Sequence, residues 1–392
     1  MKLGHHRVYY ARMWGGSARE RELDEQIPKD EGDELIRLLF IQGLGGTHAN
    51  WLQQLEFFAK DPRFDIVSLD CRGVGLSDTP VGRWRTTDIA QDVIALLEEL
   101  KWQTCHCFGF SLGGMVSLEA ALHRPDLFKS VTLISTHAGG LLGTLLPPWG
   151  ILPFLRTFGN LGSVSALDRG MELLLPTQYL DCEVEDVHEE LGNVASTVLG
   201  SNDRVTNRFK TAHELIQQGR KYIESGNGPE IRLEGTLKQI TAALTHHVGW
   251  DRLYYLKVSG ISFLVIAGKQ DNLVNYINAG MLADALSASL ILKEDAGHGV
   301  NLHYREEINN SLLLHVEKAE MKTVVEGRRP LSPKSGFPPS THPWMTAIMS
   351  SFPAYVLARR LTSSRGRRFL IIIAFVSLIL RLTHGPIYRN RQ

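Results

Sequence analysis

The chain predicts an α/β fold with a mostly parallel sheet, helices on both faces and a helical lid insertion. Three observations carry that expectation. Residues 35–41, apolar but for Arg37, and residues 263–267 are apolar runs of strand length, which suit strands buried on both faces. Helical patterns separate such runs, so strand and helix alternate as in parallel sheets with right-handed crossovers. The alternation stops near His137 and resumes near Phe263, which leaves an insertion at about 138–258.

Taken in order, residues 1–34 form a polar N-terminal segment with a short strand expected at 8–11. A strand at 35–41 leads into Gln42-Gly43-Leu44-Gly45-Gly46-Thr47, and a helix follows at 51–59. The next strand, 64–70, ends in a glycine-rich loop, 71–78. Residues 87–100 place Ile89, Val93, Leu96, Leu97 and Leu100 on one stripe, as an amphipathic helix requires. A strand at 104–108, a buried helix at 115–122 and a strand at 130–135 complete the first half. Within the insertion, 138–162 is apolar and interrupted by Pro147-Pro148 and glycines. Such a stretch either packs on the core, lines a pocket for an acyl chain or meets a membrane. Alternation then returns with strands at 263–267 and 289–292 and helices at 277–286 and 306–317. The domain spans 35–318, followed by a linker at 319–344 and a tail at 345–392.

The formal net charge of zero hides an asymmetry. From Met321 onward there are twelve Lys/Arg and one acid, Glu326, or +11; the preceding residues hold 30 basic and 41 acidic side chains, or −11. An acidic body speaks against nucleic acid, and a basic tail seeks an anionic surface. The tail contains twelve uncharged residues, 369–380, flanked by arginines. As a helix they reach ~18 Å, short of the ~30 Å bilayer core. They suit a membrane anchor that lies in the interface or spans it thinly, or else a helix docked on the domain. The N-terminal residues lack the apolar core of a secretory signal. The expected location is therefore a membrane surface with the catalytic domain facing the cytosol. Cys71, Cys105, Cys107 and Cys182 are expected to be free thiols.

The chemistry centres on Gly109-Phe110-Ser111-Leu112-Gly113, a Gly-x-Ser-x-Gly pattern between a strand and a helix. That context puts a serine on a sharp, strained turn. Asp271 follows the strand at 263–267, and His298, in Ala296-Gly297-His298-Gly299, follows the next. Strand ends are where α/β sheets build sites. A serine needs a base to become nucleophilic, histidine serves near neutral pH, and a carboxylate fixes its tautomer. Two other patterns carry less. Gly43-Leu44-Gly45-Gly46 fails the dinucleotide fingerprint, because position 48 is His. His246 and Asp251 fit a His-x4-Asp pattern but fall in the insertion, before the acid. No metal-ligand spacing is present, and no cofactor is expected.

With the order Ser111, Asp271, His298 and the loop Asp70-Cys71-Arg72-Gly73-Val74-Gly75-Leu76-Ser77, the chain resembles the α/β-hydrolase superfamily over roughly residues 35–318. Gly43-Leu44-Gly45-Gly46-Thr47-His48 with Trp51, and the C-terminal apolar anchor, look like a plant-and-algal group within it. The resemblance implies an oxyanion hole from the N–H groups of Leu44 and Leu112, with Gly43, Gly109 and Gly113 shaping loop and elbow. It implies a serine hydrolase acting on a small-molecule or lipid ester through an acyl-serine. A non-catalytic binding protein and a C–C hydrolase or lyase share the residue set and stay open. The usual His-Gly of the oxyanion loop is Gln42-Gly43 here, and the usual Gly-His-Ser is Gly109-Phe110-Ser111. Gln42 and Phe110 are therefore the expected substrate-binding positions.

Overall fold

The computed structural model describes residues 1–3, 6–14, 35–140, 143, 146–158, 166–185, 187, 189–199, 204–224 and 233–326. The tail at 345–392, with its apolar run, lies outside the described residues. Among the described residues no helix is long and apolar enough to cross a membrane.

Two short strands, β1 (Lys2–Leu3) and β2 (His6–Arg7), pair with each other. The main sheet comprises β3 (Tyr10–Trp14), β4 (Ile36–Ile41), β5 (Phe64–Leu69), β6 (Cys105–Phe110), β7 (Phe128–Ile134), β8 (Ser262–Gly268) and β9 (Ser289–Lys293). Its order is β3-β5-β4-β6-β7-β8-β9, parallel except for β3. The chain winds outward from β4 to β5, then returns to β6 on the other side. The β4 and β6 ends are thus neighbours where the winding reverses, which is where a crevice opens in such sheets.

Alternation along each strand explains the continuous apolar runs. Leu39 and Ile41 join Val67, Cys105, Cys107, Val131 and Val265 on one face, under α2 (Thr86–Glu99), α3 (Leu112–His123) and α11 (Ile277–Leu286). Leu38 and Phe40 join Phe64, Phe108 and Ile266 on the other, against α1 (Leu52–Phe58) and α12 (Arg305–Glu326). Cys105 and Cys107 share a face in the core, as their spacing predicts, and all four cysteines are free.

Two boundaries differ from expectation. The first sheet strand is 10–14 rather than 8–11, and it belongs to the sheet. It pairs antiparallel with β5, and Arg12 grips the buried Asp65 at 2.8 and 2.6 Å. An edge strand that is only half-buried and carries an arginine lacks the apolar run that marks its neighbours. The last helix runs to Glu326, into the stretch expected as linker. Glu320 holds it on the sheet through His106 at 2.8 Å and Lys129 at 2.6 Å.

Between β7 and β8 lie α4 (Ile151–Phe158), α5 (Ala166–Leu174), α6 (Thr177–Asp181), α7 (Glu189–Val198), α8 (Asn207–Glu224), α9 (Leu233–Leu244) and α10 (Trp250–Lys257). These helices meet the loops at the sheet's C-terminal end through several hydrogen bonds. The Gly299 N–H donates to the Leu174 carbonyl at 2.8 Å, and the Gly45 N–H donates to Gln239 Oε1 at 3.0 Å.

Candidate active site

Ser111 joins β6 to α3 with φ 52° and ψ −116°, a region non-glycine residues rarely occupy. The turn is held from β7. The Ser111 N–H donates to the Ile134 carbonyl at 2.8 Å, and Thr136 Oγ1 donates to the Ser111 carbonyl at 2.7 Å. The flanking glycines are dictated by space. A Cβ at 113 would stand 2.0 Å from the Ile41 carbonyl oxygen, and one at 109 would stand 2.4 Å from Ser117 Oγ.

Asp271 and His298 meet across the ends of β8 and β9. Asp271 Oδ1 accepts the N–H groups of Leu273 and Val274 at 2.7 and 2.8 Å, and Oδ2 lies 2.8 Å from His298 Nδ1. Asp271 is 1% exposed and His298 2%. A carboxylate so held accepts the Nδ1 proton, leaving Nε2 with a lone pair that can take a proton from a hydroxyl. The edge of the Phe110 ring packs on the His298 ring, centroids 5.0 Å apart. Ser135 Oγ donates to the His298 carbonyl at 2.6 Å, and Ser135 itself has φ 48°. Ser135 and Thr136, consecutive at the end of β7, thus tie the histidine loop and the serine elbow to one strand.

The oxyanion loop abuts the serine, since a Cβ at Gly43 would stand 3.1 Å from Ser111 Cβ. The Gly43 N–H donates to Gln42 Oε1 at 2.9 Å, the Gly45 N–H to Gln239, and the Gly46 N–H to the Gly43 carbonyl at 3.1 Å. Among the described residues the N–H groups of Leu44 and Leu112 have no acceptor. These are the two donors that the resemblance implies. Gln42 turns its side-chain carbonyl onto its own loop, so it shapes that loop. Gly46 leaves room for this, as a Cβ there would lie 2.3 Å from Gln42 Cγ.

Several supporting residues lie outside the sequence motifs. Trp149 Nε1 donates to the Asp271 carbonyl at 2.9 Å, and Asn272 Nδ2 donates to the Glu172 carbonyl at 3.1 Å. His137, buried behind the pair, accepts the Gly139 N–H at Nδ1 (2.9 Å). Burial, and secondarily His298, hold its pKa down to about 4, against the pull of Asp271. His246 lies inside at 2.9 Å from Thr86 Oγ1 and is held down to about 3 by burial, while Asp251 is exposed. Asp295 bonds Tyr304 and not His298. Arg72 is structural, paired with Asp92 by two 2.6 Å bonds. Among the described residues no three potential ligands cluster to hold a metal ion.

A serine on a strand–helix elbow, with a buried His–Asp pair at later strand ends, marks the nucleophilic α/β hydrolases as a class. Residues 36–159 match the alpha/beta hydrolase fold family. RutD of Pseudomonas syringae pv. syringae is 35% identical over 270 residues, which is 68% of this chain and 87% of that protein. The chain belongs to this family, and hydrolysis is the activity its kinship supports. It is also similar to 3-oxoadipate enol-lactonase 2 of Acinetobacter baylyi, 36% identical over 101 residues, or 26% of this chain; that match spans only 37% of the lactonase. Among solved structures, an esterase from Thermogutta terrifontis gives a TM-score of 0.54 at 16% identity, over 80% of this chain and 94% of that one. At that identity the likeness speaks for the fold alone.

Proposed function

We propose that the chain is a serine hydrolase that cleaves a carboxylic ester, lipid-like in character, through an acyl-serine intermediate. The observation that carries this is the 2.8 Å contact between His298 Nδ1 and an Asp271 already held by two backbone N–H groups. In this reading His298 Nε2 removes the Ser111 hydroxyl proton as Oγ attacks the ester carbonyl. The Leu44 and Leu112 N–H groups receive the oxyanion. His298 returns the proton to the departing alkoxide, and water repeats the cycle to release the acid. Asp271 stabilises the imidazolium that forms between these steps. No cofactor takes part. Phe110, against His298, borders the leaving group, and Gln42 sets the oxyanion loop.

The lipid-like preference draws on the exposed apolar residues of α4 and its approach: Trp149 is 46% exposed, Leu152 55% and Leu155 49%. It draws also on the basic tail, which we read as an anchor holding the protein to an anionic membrane, with the catalytic domain in the cytosol. Closer kinship with the plant-and-algal group that carries such an anchor is part of the same proposal.

A fluorophosphonate probe tests the chemistry. It should label Ser111, and Ser111→Ala should lose both label and ester turnover. Ester hydrolysis that persists in Ser111→Ala would overturn the reading. The substrate panel should run from short to long acyl esters, with an enol-lactone and a carbamate included because RutD carries the name carbamate hydrolase and the other relative that of an enol-lactonase. Rates that fall as the acyl chain lengthens would remove the lipid-like part. Carbonate extraction of membranes with and without residues 345–392 tests the anchor.

A further inference from the structure

Beside the acid's loop, apart from Ser111 and His298, lies a cavity of about 540 Å3. Its size is within the range of small-molecule sites. Trp149, Arg156, Arg169, Glu172, Lys269 and Asn272 are among its walls, so three cations face one carboxylate. That carboxylate is turned elsewhere. Glu172 accepts from Arg208 at 3.2 Å, and Arg208 also engages Asp168 and Asp181. Lys269 is paired with Glu294 at 2.5 Å. Among the described residues no carboxylate pairs with Arg156. Arg169 Nη1 reaches the Arg156 carbonyl at 3.5 Å, which brings the second guanidinium to the same wall.

The other side of the cavity is apolar. Trp149, on the turn that leads into α4, and Pro153, on the first turn of the helix, supply it. Leu152 and Leu155 extend it outward and are half exposed. A cationic wall beneath an apolar lip suits a ligand with an anionic head and an alkyl chain.

We infer that this cavity binds an amphiphilic anion, with a carboxylate or phosphate head on Arg156 and Arg169 and an alkyl chain along Trp149, Leu152 and Leu155. The site abuts the catalytic acid. A Cβ at Gly150 would stand 1.8 Å from the Asn272 carbonyl oxygen, so α4 starts in backbone contact with the Asp271 loop. The Trp149 indole bonds the Asp271 carbonyl directly. An occupant therefore braces the turn into α4 that carries this bond.

The test is calorimetric titration of full-length Ser111→Ala protein with dodecanoate, dodecyl phosphate, dodecanol and acetate, each below its aggregation concentration. One equivalent of either dodecyl anion should bind, with dodecanol and acetate at least tenfold weaker. Arg156→Gln with Arg169→Gln should weaken both anions at least tenfold at an unchanged thermal midpoint. If that pair unfolds the protein, Arg156→Gln alone, at an exposed position, should still weaken them several-fold. Equal binding of dodecanol, anion binding indifferent to the arginines, or no binding at all would overturn the assignment. Because Ser111→Ala is used throughout, failure here is distinct from failure of the hydrolytic reading.

Discussion

Asp271→Asn separates chemistry from folding. The native carboxylate accepts two backbone N–H groups on Oδ1 and the His298 Nδ1 proton on Oδ2. The variant's amide oxygen keeps both backbone bonds, so the loop after β8 is retained. Its NH2 then faces His298 Nδ1, which must become the acceptor. The ring's proton moves to Nε2, on the side that has to receive a proton from Ser111. A ring locked in that tautomer is not a base. The corresponding change in another serine hydrolase family lowers kcat about 10⁴-fold, so a loss of that order is expected here, or ~5.4 kcal/mol of transition-state stabilisation. Ester turnover measured beside thermal unfolding gives both answers. Turnover should fall by three to four decades while the midpoint shifts only a few degrees. A variant within tenfold of the parent would refute the assignment of Asp271. A collapse of the midpoint would refute the claim that the backbone bonds hold the loop.

Three further outcomes follow from the same geometry. Ser111→Gly should be inactive yet more stable than Ser111→Ala by about 1 kcal/mol in urea unfolding, because glycine accepts φ 52° without strain, less its own entropic cost; equal stabilities would show the elbow to be unstrained. Gly113→Ala should lose at least 100-fold in turnover and ~1–3 kcal/mol of stability, since its Cβ would meet the Ile41 backbone, which cannot rotate away; near-parental activity would show that the elbow yields. Folding stability should fall as pH drops from about 6.5 toward 4. Burial holds His137 and His315 down to about 4, so in that window the unfolded chain binds protons that the folded one refuses. Each histidine adds a slope of at most ~1.4 kcal/mol per pH unit, and His315→Gln should remove one such increment from the unfolding free energy measured between pH 7 and 4. An unaltered slope would contradict the burial argument.

What the sequence discloses divides along physical lines. Strands β4 to β8 are legible because both faces are buried, so neither periodicity nor partner needs to be known. β3 is legible only at its start, because an antiparallel edge strand with Arg12 at its centre relies on one partner, Asp65, 53 residues away. Ser111, Asp271 and His298 are legible for a related reason. Each follows a strand that announces itself, and a parallel sheet brings strand ends together whatever the loops contain.

Their supports lack that advantage. Ser135 bonds a carbonyl 163 residues on, and Trp149 one 122 residues on. Nothing local to either residue records its partner, and the helical insertion that delivers Trp149 has no sheet to fix its register. The sheet thus assembles Ser111, Asp271 and His298 by topology, whereas the insertion reaches the Asp271 loop through individual contacts of Trp149, Gly150 and Glu172. Substitutions at Trp149 or Gly150 can therefore alter what borders Asp271 without touching the strands that lead to Ser111, Asp271 and His298. Under the proposed function, ligand choice is then free to change while the chemistry stays in place.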